Sequence, residues 1–406
     1  MDVKILDTLL SAGVKAGASD LHFKVGDRPQ FRIDGELVSV KYDPLTAEDT
    51  AEICRHLIGS DGEASSLQEI QEHDASYSIS NAARFRVNIY RQRGTLCCIL
   101  RVIPGKVPAV DELGLPEAVR TLACEERGLV LVTGATGSGK SSTLAAMLNQ
   151  INETRAAHIL TIEDPIEFLH KNKRASFSQR EIGPDTRNFN TALRSALRQD
   201  PDVILVGEMR DPETIDIALK AAETGHMVFS TVHTTDVQKT IGRVIGVFPA
   251  EEQLAVRSRL AENLKGVISQ RLAPHADGKG RVVAAEILVA NNTIREAISN
   301  PEKTNSITDL LEKGGDQYGM QSFDQHLSKL YREGKISLET AKATSTSPTD
   351  FERALSFGDG PSGVEGGTFD EGKPEDDDFG VDEFGSEDFG EGVVDEEDDN
   401  DVIELV

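Results

Sequence analysis

The stretch GLVLVTGATGSGKSS, residues 128–142, decides the fold of this chain. It opens with a short, almost wholly apolar run, which predicts a strand buried on both faces. Residues 134–141 then match the pattern G-x-x-x-x-G-K-[ST] where a helix is predicted to begin. Glycines at these positions let backbone N–H groups surround a chain of phosphates, and the N-terminus of the helix adds positive potential. The stretch therefore predicts nucleotide binding at the end of a strand.

The residues of this loop and of the first helical turn are assigned to the nucleotide. Lys140 is expected to reach the β- and γ-phosphates, and the Ser141 hydroxyl is expected to bind Mg²⁺. The ligands predicted from this pattern are ATP and Mg²⁺. The predicted nucleotide-binding residues are Gly134, Ala135, Thr136, Gly137, Ser138, Gly139, Lys140, Ser141 and Ser142.

Three further apolar runs, HILTIED, DVILVGE and HMVFSTV, follow with helix-length segments between them. This alternation predicts an α/β fold with a parallel sheet buried on both faces. The segment 250–345 is predicted to be mainly helical, because residues 251–272 have the strongest helical periodicity in it.

The N-terminal part has a different pattern. Residues 2–17 carry apolar residues at helical spacing, and the segments after them alternate apolar and polar residues between turn signals. This pattern predicts an α+β domain with a half-exposed sheet. The predicted divisions are an N-terminal domain over residues 1–107, a linker over 108–125, an ATPase domain over 126–356 and a disordered acidic tail over 357–406.

The net charge of −26 is concentrated at one end of the chain. Residues 357–406 hold 20 Asp and Glu against one Lys, so the other residues carry a net charge of only −7. The tail composition is typical of disorder. A mildly acidic body also disfavours nucleic acid as a partner, because nucleic-acid binders usually present a basic face.

Neither the cysteines nor the N-terminus indicates an exported protein. The four cysteines, Cys54, Cys97, Cys98 and Cys124, form no C-x-x-C pair, so they are expected to be free thiols in a reducing compartment. No signal peptide is visible, and no apolar run approaches the ~18 residues that span a bilayer. We expect a cytoplasmic protein, held at a membrane only through a partner.

Acidic residues follow two of the later apolar runs. TIEDPIE places Glu163 after one run, and DVILVGE places Glu208 after the next. Carboxylates at the C-terminal ends of parallel strands face the ligand crevice, so Glu163 is a candidate Mg²⁺ ligand beside Ser141. Gly207 stands where the usual magnesium-binding Asp of such a strand would be, which makes Glu208 the candidate that activates water. From spacing alone, Glu163 is equally an ordinary surface acid, whereas the strand pattern favours the catalytic interpretation of Glu208 over a strand that ends at a surface Glu.

Two histidines bracket the last apolar run. His226 precedes it and His233 follows it, so at most one of them lies at the phosphate end of the strand. Spacing alone favours an ordinary structural role for a histidine in this position.

Together these segments make the chain similar to the type II/IV secretion ATPase family, and to its pilus retraction branch in particular. The resemblance covers roughly residues 5–355. The matching segments are ASDLHF, RFRVN, TGATGSGKSSTLAAM, HILTIEDPIEF, LRQDPDVILVGEMRD, ETGHMVFSTVHT, ISQRL and YGMQSFDQHL.

The resemblance implies a PAS-like N-terminal domain, a RecA-like ATPase domain and a ring-shaped homohexamer that acts on an inner-membrane pilus platform protein. It also makes Glu163 and His233 catalytic candidates beside Glu208. In the family, arginines of the N-terminal domain reach the nucleotide, and Arg86 in RFRVN and Arg101 in LRVIP match that pattern. The alternative for both is a position on a solvated sheet face.

Two features favour retraction over assembly or secretion. Assembly and secretion relatives usually carry four zinc-binding cysteines late in the chain and a long extra N-terminal domain. Here no Cys follows Cys124, and the expected PAS-like domain begins almost at once. One segment departs from the family, because its AIRNLIRE-like helix reads NNTIREAI at residues 291–298. An assembly or secretion motor, an accessory paralogue and a nucleic-acid translocase therefore remain as alternatives. A non-hydrolysing subunit is disfavoured by the presence of Lys140 and Glu208.

The acidic tail contains a five-residue repeat. Phe379, Phe384 and Phe389 each stand between an acidic residue and a glycine. Evenly spaced aromatic residues in an acidic, Gly-rich segment are typical of weak multivalent docking to a partner. The alternative is a solubilising tail without a partner.

Overall fold

The computed structural model describes residues 3–33, 35–59, 67–79 and 83–356. The predicted disordered tail, residues 357–406, lies outside the described residues. The described strands form two sheets, one of six strands and one of seven. The alternating segments of the N-terminal part form the first sheet, and the continuous apolar runs of the later part contribute strands to the second.

The six-stranded sheet is antiparallel and has the strand order β3-β2-β1-β6-β5-β4. Its strands confirm the alternating segments of the N-terminal part. They are β1 Asp20–Phe23, β2 Gln30–Ile33, β3 Glu36–Ser39, β4 Glu72–Ile79, β5 Ala83–Gln92 and β6 Thr95–Ile103.

One face of this sheet packs under the N-terminal helices. On β5 the side chains of Phe85, Val87 and Ile89 are buried, whereas Arg86 and Asn88 between them are exposed. Because strand side chains alternate between faces, the apolar set packs under the N-terminal helices and the polar set faces outward. The predicted helix over residues 2–17 is confirmed as α1 Val3–Lys15, which packs in this core with α2 Ala47–Ile58.

The seven-stranded sheet has the order β13-β12-β7-β11-β10-β8-β9. All neighbouring pairs are parallel except β12 with β13. The strands are β7 Gly128–Gly134, β8 His158–Glu163, β9 Ser176–Glu181, β10 Val203–Val206, β11 Met227–Val232, β12 Leu264–Pro274 and β13 Arg281–Val289.

Helices cover both faces of this sheet, as predicted. On β11, Val228 packs into one apolar cluster and Phe229 into a second cluster on the opposite face. The helices after α2 are α3 Glu117–Ala123, α4 Lys140–Thr154, α5 Phe189–Ala196, α6 Pro212–Glu223, α7 Val237–Gly246, α8 Gln253–Asn263, α9 Asn292–Ser299, α10 Ile307–Lys313, α11 Gly315–Tyr318, α12 Phe323–Arg332, α13 Leu338–Thr344 and α14 Pro348–Ser356, with a 3₁₀ helix at Pro301–Ser306.

The prediction that residues 250–345 are mainly helical is wrong for residues 264–289. The helix α8 ends at Asn263, and β12 and β13 form an antiparallel pair instead. The segment GVISQRL, predicted as helix from its periodicity, is a strand of the sheet because it pairs with β7, which is far away in the chain. The β-branched Val267 and Ile268 suit this strand, and non-local pairing overrides the local helical pattern.

The segment predicted as a linker contains a helix of its own. In α3, Val119, Leu122 and Ala123 are buried against the core of the larger sheet. The domain limits themselves remain a prediction. No helix among the described residues is long and apolar enough to cross a bilayer.

Candidate nucleotide site

The loop between β7 and α4 has the conformation that its glycines predict. Gly134 has φ 141° and Gly139 has φ 91°, values that L side chains rarely adopt. A Cβ at position 134 would also lie 2.5 Å from the Gln270 carbonyl oxygen and closer still to Ser138 Oγ. The loop can therefore curl tightly over the end of β7 only with glycine at this position.

Lys140 lies inside this loop, and its ammonium group donates to the carbonyl oxygens of Gly134 and Ala135, each at 3.0 Å. Burial lowers the pKa of Lys140, and the charges of Glu167 and Glu208 oppose that shift. Ser138 Oγ is buried without a hydrogen-bond partner among the described residues.

The other predicted nucleotide-binding residues surround the same space. Ala135, Thr136 and Gly137 are exposed at the tip of the loop, and Ser141 and Ser142 occupy the first turn of α4. The backbone N–H groups of that turn have no partner within the helix, so they are available to an anion.

Glu163 ends β8 and lies deep in the structure. Its carboxylate accepts from Thr161 Oγ1 at 2.7 Å, from the Glu167 N–H at 3.4 Å and from Gln179 Nε2 at 3.4 Å. The residue keeps some exposed surface, yet burial of the carboxyl group raises its pKa to about 7. Hydrogen bonds from these neighbours oppose the shift.

Glu208 follows β10, the strand next to β8. Its carboxylate pairs with Arg210 Nε at 2.7 Å and lies 3.5 Å from His233 Nε2. Gly207 explains the departure from the usual strand pattern, because a Cβ there would lie 3.1 Å from the Ile162 carbonyl oxygen and 3.3 Å from Glu163 Cα. The glycine lets β8 approach closely, so Glu163 supplies a carboxylate beside Glu208.

The two histidines have separate positions. His233 lies at the C-terminal end of β11 facing Glu208, whereas His226 lies before the strand and its Nδ1 is 2.9 Å from the Ala221 carbonyl oxygen. Burial lowers the pKa of His233, with a further contribution from the positive charge of Lys140. Only His233 of the pair is placed at the phosphate end.

These side chains follow the order of four adjacent strands. Lys140 comes after β7, His233 after β11, Glu208 after β10 and Glu163 after β8. The ends of parallel strands meet at one edge of the sheet, so a cation, an imidazole and two carboxylates converge there. A hydroxyl and a carboxylate suit Mg²⁺, which prefers few protein oxygens together with phosphate and water. Ser141 and Glu163 fit that donor set.

A cavity of about 430 Å³ opens beside the loop, and sequence reasoning missed half of its lining. Arg271 stacks on the Phe323 ring at 3.9 Å and donates to the Thr344 carbonyl oxygen at 2.6 Å. Burial lowers the pKa of Arg271. Of the missed residues, Thr235 lies in the loop after β11, and the others lie on β12 and β13, in the segment predicted to be mainly helical. The lining residues are Ala135, Thr136, Gly137, Ser138, Thr235, Gln270, Arg271, Leu272 and Arg281.

The two predicted arginines are together but on the other sheet. Arg86 and Arg101 are register partners on β5 and β6, and both side chains are exposed. Arg101 pairs with Asp20 at 2.8 Å, and Arg86 forms no ion pair with any described residue. Neither contacts the phosphate loop of its own chain among the described residues.

The family model for type II/IV secretion system proteins matches residues 2–347. The chain belongs to this family. It is 47% identical over 343 residues to the type IV pilus retraction ATPase PilT of Pseudomonas aeruginosa, covering 84% of this chain and 98% of that protein. It is 48% identical over 314 residues to a twitching motility protein of Neisseria gonorrhoeae, covering 77% of this chain and 83% of that protein.

A crystal structure of the pilus retraction motor PilT with bound ADP matches with a TM-score of 0.79 and 44% identity, covering 87% of this chain and 100% of that one. The expected α/β fold, with a PAS-like N-terminal domain and a RecA-like C-terminal domain, is thereby confirmed. Membership of the family makes the chain an ATPase.

Proposed function

We propose that this chain binds ATP and Mg²⁺ and, as a homohexamer, powers retraction of a type IV pilus. The observation that carries the proposal is the convergence of Lys140, His233, Glu208 and Glu163 along one edge of the larger sheet. The likeness to retraction ATPases over nearly their whole length supports the mechanical role.

Each residue at this edge has a distinct task. Lys140 binds the phosphates, and the Glu208 carboxylate accepts a proton from the attacking water. His233, 3.5 Å from Glu208, orients that carboxylate and contacts the γ-phosphate. Ser141 and Glu163 hold Mg²⁺, which neutralises charge on the phosphates when bound.

Arg86 and Arg101 complete the site of a neighbouring subunit. Arg86 and Arg101 are like charges directly opposite each other on an exposed sheet face, an unfavourable arrangement, and among the described residues only Arg101 has a carboxylate partner, Asp20. An anion from another subunit, such as the γ-phosphate, would compensate them. Arginines that act in this way can contribute about 10³–10⁵ in rate. The proposal therefore requires a ring in which one subunit's N-terminal sheet faces the next subunit's phosphate loop.

Rings mixed from two inactive proteins test this arrangement. One variant carries Arg86→Ala and Arg101→Ala, and the other carries Lys140→Ala. Where the first subunit supplies the phosphate loop and the second supplies the arginines, the site is complete, so ATPase activity should exceed that of both parents. Activity equal to the average of the parents would contradict arginines acting between subunits.

We place the motor on the cytoplasmic side of the inner membrane, bound to the pilus platform protein. A strain lacking the gene should remain piliated but immobile, and the wild-type gene should restore movement. Loss of pili instead would support an assembly ATPase. Stimulation of ATP hydrolysis by DNA would support a nucleic-acid translocase. A strain that keeps its movement would identify an accessory paralogue.

The tail is proposed to tether a partner through Phe379, Phe384 and Phe389. Changing all three to Ser should delocalise the protein or impair movement while the ATPase activity of the purified protein stays normal. Wild-type localisation and movement in the Ser variant would contradict tethering and support the alternative of a solubilising tail without a partner. The same change to Leu, which keeps apolar side chains, serves as the control.

A further inference from the structure

A buried ion pair outside the phosphate site joins the two sheets. Glu181, the last residue of β9, has 4% of its side chain exposed, and its Oε2 accepts from Arg84 Nη2 at 2.7 Å. The Ser76 hydroxyl donates to the other carboxylate oxygen. Since Arg84 lies on β5 and Ser76 on β4, one carboxylate of the larger sheet holds two strands of the smaller sheet.

The same carboxylate holds the loop that follows Glu163. The Ile166 N–H donates to Glu181 Oε2 at 3.1 Å. Glu181 is also the register partner of Glu163 in the pairing of β8 with β9, and the Ile182 N–H donates to the Glu163 carbonyl oxygen at 2.9 Å. Glu181 thus contacts both the N-terminal sheet and the backbone that carries a proposed Mg²⁺ ligand.

Gln179, two residues earlier on β9, fixes the rest of that loop. Its amide nitrogen donates to the Phe168 carbonyl oxygen at 2.9 Å, and its amide oxygen accepts from the His170 N–H at 2.9 Å. Residues 164–170 are therefore bound to β9 at three backbone positions. Of the two β9 side chains that hold the loop, only Glu181 also bonds to the N-terminal sheet.

On the other side of the ion pair lies the strand of the predicted arginines. Arg84 and Arg86 are two residues apart on β5, so their side chains share a face. Ser76 lies directly opposite Arg86 in the pairing of β4 with β5. Glu181 therefore touches the neighbour of Arg86 along its own strand and the neighbour across from it.

We propose that Glu181 and Arg84 are positioning residues that couple the N-terminal sheet to the loop carrying Glu163. A shift of that sheet moves the Glu181 carboxylate, and with it the Ile166 backbone. A link from this loop to the next subunit's nucleotide rests on the proposed role of Arg86 and Arg101. The pair would then connect two neighbouring ATP sites through one subunit.

The test compares three variants of the full chain. Arg84→Met removes the ion pair, and Arg84→Lys keeps a charge that can reach Glu181. Arg91→Met is the matched control, because Arg91 lies on the same strand and bonds to the Ile70 and Leu67 carbonyl oxygens, away from the larger sheet. ATP turnover, the KM for ATP, ADP affinity and amide hydrogen exchange of residues 164–170 are measured for each.

Arg84→Met should lower kcat roughly tenfold to hundredfold, the size expected for a small displacement of a reacting group. The KM for ATP and ADP affinity should change by less than about twofold, and residues 164–170 should exchange faster. Arg84→Lys should recover part of kcat. Arg91→Met should have the kcat of wild type and the same amide exchange in residues 164–170. If destabilisation obscures Arg84→Met, Glu181→Gln replaces it, since the amide oxygen can still accept from the Ile166 N–H and the amide nitrogen can donate to the Ser76 hydroxyl.

Equal kcat and equal loop exchange in Arg84→Met and Arg91→Met would overturn the coupling. The proposed function fails separately. If Arg84→Met slows turnover but mixed rings show no rescue, the coupling within one subunit stands and the arginines between subunits do not. If mixed rings are rescued while Arg84→Met turns over normally, the reverse holds.

Discussion

The two sheets of this molecule differ in which residues they expose to solvent. The larger sheet is covered by helices on both faces, so successive residues of β11 such as Val228 and Phe229 both lie in apolar clusters. Helices cover one face of the smaller sheet, so Phe85 is buried while Arg86 beside it on β5 is exposed. A doubly covered sheet can present chemistry only at its strand ends, whereas a half-exposed sheet can also present it on a face.

The polar residues of the two sheets follow that difference. In the larger sheet, Glu163 ends a strand, Glu208 and His233 closely follow strands, and Lys140 opens the helix after the phosphate loop. In the smaller sheet, Arg86 and Arg101 lie in the middle of strands and face outward. The first set lies along one edge of a sheet, which suits a small ligand, and the second lies on an exposed sheet face, which suits another protein subunit.

The largest effect is expected at the strand ends of the larger sheet. Lys140→Ala should abolish nucleotide binding, because the charge that holds the phosphates is lost. Glu208→Gln should bind ATP normally but lower turnover by about 10²–10⁴-fold, since the amide keeps the shape and cannot accept the proton. Fluorescent-nucleotide binding and phosphate release distinguish the two variants. Near-normal turnover by Glu208→Gln would transfer the role of base to Glu163.

A smaller effect is expected in the middle of the strands, where substitutions of adjacent residues should affect stability differently in the two sheets. Phe229→Ala should lower the free energy of unfolding by about 3–5 kcal/mol and Val228→Ala by about 2 kcal/mol, because each leaves a cavity in a different cluster. On β5, Phe85→Ala should cost about as much as Phe229→Ala, whereas Arg86→Ala should change stability by less than about 0.5 kcal/mol. Urea unfolding measures all four, and a large loss in Arg86→Ala would mean that the Arg86 side chain is itself covered within one subunit.

The smallest effect concerns a carboxyl group within the larger sheet. Glu286 on β13 accepts from the Val237 N–H at 2.7 Å, and burial raises its pKa to about 7. Its unfolded form ionises at a lower pH than its folded form, so the stability that it contributes is present below about pH 4.5 and is lost as the pH rises to about 7.

Glu286→Gln cannot ionise and should therefore gain stability relative to wild type as the pH rises. The difference in unfolding free energy should grow by up to about 3 kcal/mol between pH 5 and pH 8. Urea unfolding at intervals of one pH unit follows it, and the value at pH 5, where both side chains are uncharged, is the internal reference. A difference that does not vary with pH would mean that Glu286 is not shielded from water.

The parts of this fold that sequence reasoning predicted are those fixed by local pattern. The strand, turn and helix around Lys140 form from consecutive residues, and so do the alternating strands of the smaller sheet. The strand β12 was predicted as helix because its partner β7 is distant in sequence, and Gln270 and Arg271 were missed with it. In the sequence, Gly207 is a departure from the usual strand that ends in a magnesium-binding Asp. The close approach of the Glu163 backbone in the structure explains why glycine occupies this position.

The pair of Glu181 and Arg84 lay further still from sequence reasoning. Glu181 is 97 residues from Arg84 and 105 residues from Ser76, and although Arg84 opens the segment RFRVN, nothing in that segment points to Glu181. A buried ion pair between domains depends on how two complete sheets pack, which no window of sequence contains.

The placement of Arg86 and Arg101 on an outward face has a consequence for how much ATP the cell consumes. If these side chains serve only a neighbouring molecule, a lone subunit carries two halves of different sites and no whole one. Hydrolysis then obeys mass action, and its rate per molecule rises with protein concentration until rings are complete. Newly made or stray subunits would leave the ATP pool untouched, and fuel would be consumed only where the machine has been built.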